Sequence, residues 1–342
     1  MFLFRKVLSF WLKLINNPGF KKKSGKSLFK VERHIHDGIQ SLTKSNLITL
    51  YERLGGFNNL GFFIHYSATE KEPKYITKIA SSYLISREKS FLDWHEKVFE
   101  KTHQFASKAV MLEEVGQGYL GLTVNFYAEP NSIDTLKLKD LYCRMRRCDD
   151  TLKNMVRQNY QQSIFLNPIE GDTKIINLIN HFVRDPIAQT AYSYIQDFLL
   201  ARKSSLLRSG VNPDLITQIA MQCHQMLQTK SLETYLGYVH GDFKKNNVRL
   251  NGEQLYLIDF SYAHYGLKVW DLGFWFSKED NLKMEKLKQV AYFFDLDKVE
   301  ILLFYYCFML AKLIHVDKKQ LPPKEQKLLL KVIGEMNNAS IV

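Results

Sequence analysis

The sequence predicts an α+β protein in two lobes, a small antiparallel β-rich lobe followed by a larger, mainly helical one. Three observations lead there. Residues 47–80 and 108–130 read as short β-prone runs broken by tight turns: LITLYERLGGFNNLGFFIHYS, the polar turn TEKEPK and YITKIA, then KAVMLEEVGQGYLGLTVNFYAEP. Residues 135–230 carry helical periodicity instead, with breaks at Asn167-Pro168, Gly171-Asp172 and Gly210 to Pro213. A chain of 342 residues is also long for one core and comfortable for two. The expected division is a basic amphipathic segment at 1–40, the β-rich lobe at 41–127 and the helical lobe at 128–342.

Composition narrows the class. With 46% hydrophobic residues, 13% aromatic and only eight prolines, the chain should fold rather than stay disordered. Its four cysteines, Cys143, Cys148, Cys223 and Cys307, form no CxxC pair, which argues against a zinc site or a disulfide framework and fits a reducing compartment. The net charge is +12, and residues 1–30 hold eight Lys/Arg and no acid. That charge is terminal and joined to an apolar run, with no nucleic-acid fold motif, so no nucleic-acid partner is expected.

Residues 2–17, FLFRKVLSFWLKLINN, have helical spacing. At 100° per residue Arg5, Lys6, Ser9, Lys13, Asn16 and Asn17 share one sector, and Leu, Val, Ile, Phe and Trp fill most of the rest. Pro18-Gly19 should stop the helix. The segment is too short and too charged to span a bilayer, and the basic block follows the apolar run, which does not suit a signal peptide. The expectation is that residues 2–30 lie on an anionic membrane from the cytoplasmic side, with Lys21 to Lys30 over the head groups, so that the protein is cytoplasmic and peripheral. The alternative is a helix packed on its own core.

Within the β-rich part, Gly55-Gly56-Phe57-Asn58-Asn59 is a turn with bare backbone, able to bring N–H groups near phosphate oxygens. Lys78 lies inside the strand YITKIA on the face of Ile76 and Ala80, where a cation needs an anionic partner; an edge-strand lysine reaching water is the alternative. Ser86 to Gln104 reads as a charged helix carrying Glu88, Glu96 and Glu100. The Arg144, Arg146, Arg147 cluster could meet an anionic substrate, with a solvated helix face as the plainer reading. VEILLFYYCFMLAKLIHV near the end reads as a buried helix rather than a membrane span.

The most informative stretch is YVHGDFKKNNVRLNGEQLYLIDFSYAHYGLKVWDLGFW, residues 238–275. Val248 to Leu250, the turn Asn251-Gly252 and Leu255 to Ile258 spell a hairpin of type I′. Its return brings Asp259 back towards Asn247, and an amide with a carboxylate offers hard oxygen ligands that suit Mg²⁺ carrying a polyphosphate. Asp242, in the loop ahead, is left to accept a proton.

His240-Gly241-Asp242 with Asn247, then Ile258-Asp259-Phe260, then Trp270-Asp271-Leu272-Gly273 resemble the catalytic segment of the aminoglycoside phosphotransferase and choline kinase family, relatives of the protein kinases. Three motifs in order carry the likeness; HGD alone would carry little. The resemblance implies a protein-kinase-like fold and transfer of phosphate from ATP to a hydroxyl. Asp242 would be the base, Asn247 and Asp259 would hold Mg²⁺, and Asp271 would brace the loop. It also implies that Gly56, Asn58 and Asn59, whose turn is similar to the G-x-x-N loops of small-molecule kinases, and Lys78 hold the nucleotide. Glu88 would pair with Lys78, with Glu96 and Glu100 as rivals, and Asn125 to Glu129 would line the adenine. Lys244 either neutralises the γ-phosphate in flight or is a plain loop lysine.

The expected acceptor is therefore the hydroxyl of a small molecule or a sugar, including that of a membrane glycolipid. A protein acceptor fits less well, because GxGxxG is missing and Asp259 and Trp270 lie only 11 residues apart, leaving no room for an A-P-E activation segment. A membrane-associated pseudokinase is the reading from a different class, disfavoured because the polar residues of catalysis are all present.

Overall fold

The computed structural model describes residues 2–52, 59–68, 72–99, 103–159, 207, 210–215, 217–218, 221, 232–314 and 321–340. The chain divides into two compact units: Met1–Ser132 with Arg249–Ser261, and Ile133–Val248 with Tyr262–Val342. The N-terminal segment and the hairpin after Val248 thus both belong to the first unit, because each is packed on its sheet or on the chain that follows it.

In the first unit β1 (Leu47–Glu52), β2 (Asn59–Ser67), β3 (Pro73–Ser81), β4 (Ala109–Gly116) and β5 (Tyr119–Asn125) form one antiparallel sheet in the order β1-β2-β3-β5-β4. The register places Phe62 opposite Lys78 and Lys78 opposite Leu122. Two helices precede the sheet, α1 (Phe2–Ser24) and α2 (Leu28–Thr43), and α3 (Ser82–Val98) follows β3. Leu28, Val31, Ile35 and Ile39 repeat every three or four residues and are fully buried with Tyr51, Phe63, Ile79 and Val115, which makes α2 the principal cover of one face. Phe20 of α1 joins the same cluster.

Three expectations change here. Pro18 does not end the first helix, which runs on to Ser24. A proline removes only its own N–H bond and crowds one carbonyl, whereas the turn beyond it is anchored by buried Phe20 and by Ser24, whose hydroxyl donates to the Phe20 carbonyl at 2.9 Å. The helix expected at 86–104 is α3, four residues earlier at its start and finished by Val98, with Phe99 in extended backbone. The basic segment expected at 1–40 also contains a second helix, α2, whose apolar spacing at Leu28, Val31, Ile35 and Ile39 is interrupted by charged residues and histidines.

The catalytic segment opens with β6 (Leu236–Val239), passes a short 3₁₀ turn at Lys245–Asn247, forms the hairpin β7 (Val248–Asn251) and β8 (Gln254–Leu257), and continues to β9 (His264–Leu267), which pairs antiparallel with β6. The hairpin turn is centred one residue later than expected. Asn251 is the last residue of β7, and Gly252 has φ +59 while Glu253 stays negative. Positive φ at the first central position alone is not the type I′ pattern.

Of the second unit, the described helices are α4 (Thr135–Arg146), α5 (Asp149–Asn159), α6 (Trp270–Ser277), α7 (Met284–Phe293), α8 (Lys298–Ile314) and α9 (Pro323–Ser340). The breaks expected at Asn167-Pro168 and Gly171-Asp172 lie outside the described residues. From Leu303 to Ala311 every residue of α8 is buried. Its close crossing of α6 explains the glycine of WDLG: a Cβ on Gly273 would stand 2.7 Å from both Cys307 Cβ and the Phe308 nitrogen. Among the described residues no helix is long and apolar enough to cross a membrane.

Candidate active site

Asp242 and its neighbours belong to the second unit. Asp271, in the first turn of α6, accepts hydrogen bonds from the backbone N–H groups of His240 (2.7 Å) and Gly241 (3.1 Å). Burial pushes its carboxyl above the usual carboxylate range, against the pull of His240, Arg146 and the two N–H groups. Gly241 is required twice over. Its φ is +83, and a Cβ there would come within 2.5 Å of the Tyr262 carbonyl oxygen. The loop so held carries Asp242, only 7% exposed.

Both side-chain bonds to Asp242 fall on Oδ2: Lys244 Nζ donates at 2.6 Å and Asn247 Nδ2 at 3.0 Å. Asn247 Nδ2 also donates to the Asp242 carbonyl at 2.8 Å. Neither of these side-chain bonds falls on Oδ1 of Asp242. The bonds of the Asn247 side chain to Asp242 thus run through its amide nitrogen, not its oxygen.

Lys78, Glu88 and Asp259 come together in the first unit. Lys78 Nζ donates to Asp259 Oδ1 at 2.5 Å and to Glu88 Oε2 at 2.9 Å. Burial pulls the Lys78 ammonium down, but the carboxylates of Asp259 and Glu88 outweigh it and hold it above the ordinary lysine range. Glu96 pairs instead with Lys108, and Glu100 lies outside the described residues. Asp259 has φ +67, an uncommon conformation for a residue with a Cβ, which turns its carboxylate onto Lys78 immediately after the β8 arm. Asp259 in the first unit carries a carboxylate and Asn247 in the second an amide oxygen, both donor types that hard cations accept. Among the described residues no group of three or more His, Cys, Asp and Glu could hold a metal alone.

Two further residues build this cluster. Ser261 Oγ lies 3.0 Å from Lys78 Nζ, 3.1 Å from Asp259 Oδ1 and 3.4 Å from Glu88 Oε2. Arg87, fully buried, donates from Nε to the Ser261 carbonyl at 3.3 Å. Neither has a spacing signal; only adjacency to Asp259 and Glu88 pointed to them. Phe260, between Asp259 and Ser261, stacks on Phe91 of α3 with ring centroids 4.5 Å apart, which ties the segment to the helix bearing Glu88.

Of the remaining expected residues, Gly56 and Asn58 lie outside the described residues, and Asn59 opens β2 opposite Ala80. The segment 125–129 is tied to β7, where Leu250 N–H donates to the Ala128 carbonyl at 2.8 Å. Of the arginine cluster, Arg144 and Arg146 are engaged within the second unit and Arg147 is exposed. Arg144 is 2% exposed and pairs with Asp140 at 2.9 Å, and Arg146 donates to the carbonyls of Tyr238 and Lys268 at 2.5 and 3.2 Å.

Residues 186–300 match the family model described as the phosphotransferase enzyme family, an interval that contains the HGD, IDF and WDLG motifs. Among curated proteins none matches the chain. Similar solved structures include choline kinase from Cryptosporidium parvum Iowa II, 11% identical over 90% of this chain and 95% of that one, with a TM-score of 0.48. Spectinomycin phosphotransferase in complex with ADP and spectinomycin is 12% identical over 91% and 97%, TM-score 0.48. A putative fructosamine-3-kinase from Haemophilus somnus 129PT is 13% identical over 90% and 98%, TM-score 0.48. The segment from His240 to Asp271 lies wholly inside the matched interval.

Proposed function

We propose that the protein transfers the γ-phosphoryl group of ATP to a hydroxyl of a small molecule or sugar, including the sugar of a membrane glycolipid, at an anionic membrane surface met by residues 2–30. One observation carries the chemistry. Inside a segment matching the phosphotransferase family, Asp242 is held by Asn247 and Lys244 through one oxygen and left open at the other.

Asp242 Oδ1 orients the acceptor hydroxyl and takes its proton as the oxygen attacks phosphorus, and the bond to ADP breaks with its electron pair on the leaving phosphate. Lys78 turns from Asp259 to the α- and β-phosphates, and Glu88 and Ser261 keep its stem in place. The resemblance assigns phosphate contacts to Gly56, Asn58 and Asn59, the first two outside the described residues, and the adenine to Asn125 to Glu129. Asn247 and Asp259 would hold Mg²⁺, which when bound neutralises phosphate charge and orients the γ-phosphoryl group. Lys244 is the nearest cation to Asp242 and is free to exchange that carboxylate for the moving phosphoryl oxygens. Most of the acceleration comes from positioning and charge neutralisation.

The test is incubation of the protein with ATP and Mg²⁺ against choline, aminoglycosides, free sugars and a lipid or polysaccharide fraction, with mass spectrometry of each. A gain of one phosphate on one acceptor class supports the reading, and nucleotide binding with no product from any class and no ADP release contradicts it.

A further inference from the structure

The first helix is folded inside out. Its polar sector faces the protein: Ser9 is 3% exposed, and its hydroxyl accepts from the Tyr51 N–H at 2.8 Å. Tyr51 is on β1, the edge strand of the sheet, so this serine satisfies a donor that an open edge would leave to water or to another chain. Along the same sector Arg5 donates to the Tyr66 hydroxyl at 3.0 Å and Lys13 pairs with Glu32 at 2.6 Å. Asn17 Oδ1 accepts from the Leu28 N–H at 2.8 Å, capping α2. At the far end the Gln117 N–H donates to the Ser24 carbonyl at 3.0 Å, and a Cβ on Gly116 would come within 2.0 Å of that oxygen. The helix is therefore a fixed part of the first unit, held from Arg5 to Ser24 by polar contacts and Phe20.

The opposite sector is apolar and points away. Phe4 is 69% exposed, Trp11 58% and Ile15 70%, with Val7, Leu8 and Leu14 also exposed beside them. This reverses the ordinary arrangement of a surface helix. A continuous outward row of large apolar side chains on a folded element marks an interaction surface.

Charge selects the occupant. Lys6, Lys21, Lys22, Lys23, Lys26 and Lys30 are all exposed around and beyond this face, and no acidic residue occurs before Glu32, which is engaged by Lys13. A protein partner's apolar groove would not require such a one-signed border, and a second copy of the chain would bring lysines against lysines. An anionic bilayer supplies both an apolar interior for Phe4, Trp11 and Ile15 and phosphates for the lysines.

We infer that the outward face of α1 is a pre-formed seat for an anionic lipid bilayer, which the first unit presents without unfolding or releasing the helix. The inference rests on the reading of residues 2–30 as membrane-facing and refines it: the helix is neither a detachable anchor nor a core helix, since its polar side holds the protein and its apolar side meets lipid. It does not depend on the phosphoryl chemistry.

The experiment compares the full chain with the outward triple variant Phe4→Gln/Trp11→Gln/Ile15→Gln and with Lys21→Gln/Lys22→Gln/Lys23→Gln. Each is sedimented with vesicles of phosphatidylglycerol and phosphatidylcholine mixed, and of phosphatidylcholine alone. Thermal unfolding, Mg·ATP affinity and light scattering are read on the same samples. The wild type should sediment with the anionic vesicles and at least tenfold less with the neutral ones. Both variants should lose at least tenfold of that binding while unfolding temperature and nucleotide affinity stay as in wild type. Equal sedimentation of wild type and the apolar variant overturns the inference, as does a wild type that ignores vesicles but forms dimers the apolar variant cannot. In either case unchanged nucleotide affinity leaves the phosphotransferase reading standing.

Discussion

Acidification should weaken the first unit through one histidine. His65 on β2 is fully buried, with Nδ1 2.9 Å from the Thr49 hydroxyl and Nε2 2.8 Å from the Thr77 hydroxyl. Thr49 also meets His36 at 2.8 Å and Thr77 meets Thr123 at 2.6 Å, so a polar chain runs from α2 across β1, β2, β3 and β5. Burial, and then the nearness of His36, pull the His65 pKa from 6.5 down to about 3. His65 is a base with its folded value below its unfolded one, so the unfolded chain takes the proton first. Its contribution is complete above pH 6.5 and is lost as the pH falls towards 3. Between pH 7.5 and pH 5.0 the proton taken by the unfolded chain costs about 2 kcal/mol, roughly a 30-fold change in the folded-to-unfolded ratio. Urea unfolding of wild type and His65→Gln at both pH values reads this term, since other titrating groups contribute alike to both proteins and cancel in the difference. Wild type should lose about 2 kcal/mol more than the variant. Equal losses would refute the assignment of a neutral, buried His65.

Two further outcomes follow from the site and from the sheet edge. Asp259→Ala should abolish turnover and remove the Mg²⁺ dependence of nucleotide binding, and Asn247→Ala should do less because it gives up a neutral ligand; identical Mg²⁺ dependence in wild type and Asp259→Ala would move the metal elsewhere. Ser9→Ala leaves the Tyr51 N–H without its partner and should lower stability by about 1–3 kcal/mol with vesicle binding unchanged, a result that an unaltered urea midpoint would contradict.

Much of this arrangement could be read from residue order. Strands β1 to β5 announce themselves by β-prone runs and turns, and α8 by its apolar length. The segment proposed as catalytic is legible because Asp242, Asn247, Asp259 and Asp271, polar side chains in and around apolar strands, stand out on one short piece of chain. Periodicity fails at α1 because it gives two faces without saying which one turns inward. The fact that decides it, the hydrogen bond from the edge-strand N–H of Tyr51 to the hydroxyl of Ser9, belongs to tertiary structure. Ser261 was hidden for a similar reason: a single serine makes no pattern, and its three neighbours Lys78, Glu88 and Asp259 are distant in sequence. Arg144 and Arg146 depart from the solvated helix face that is the plainer reading of their cluster, because Asp140 and the carbonyls of Tyr238 and Lys268, which periodicity does not reveal, engage them.

The role proposed for Asp242, base of a phosphotransferase, is open to a direct measurement. With the acceptor identified by mass spectrometry, single-turnover transfer from γ-labelled ATP should be compared in wild type and Asp242→Asn, with nucleotide affinity measured on the same preparations. The account predicts a loss of transfer on the order of 100-fold or more with affinity for Mg·ATP within a few fold, because Asp242 touches the acceptor rather than the nucleotide. Transfer at the wild-type rate in Asp242→Asn would contradict it.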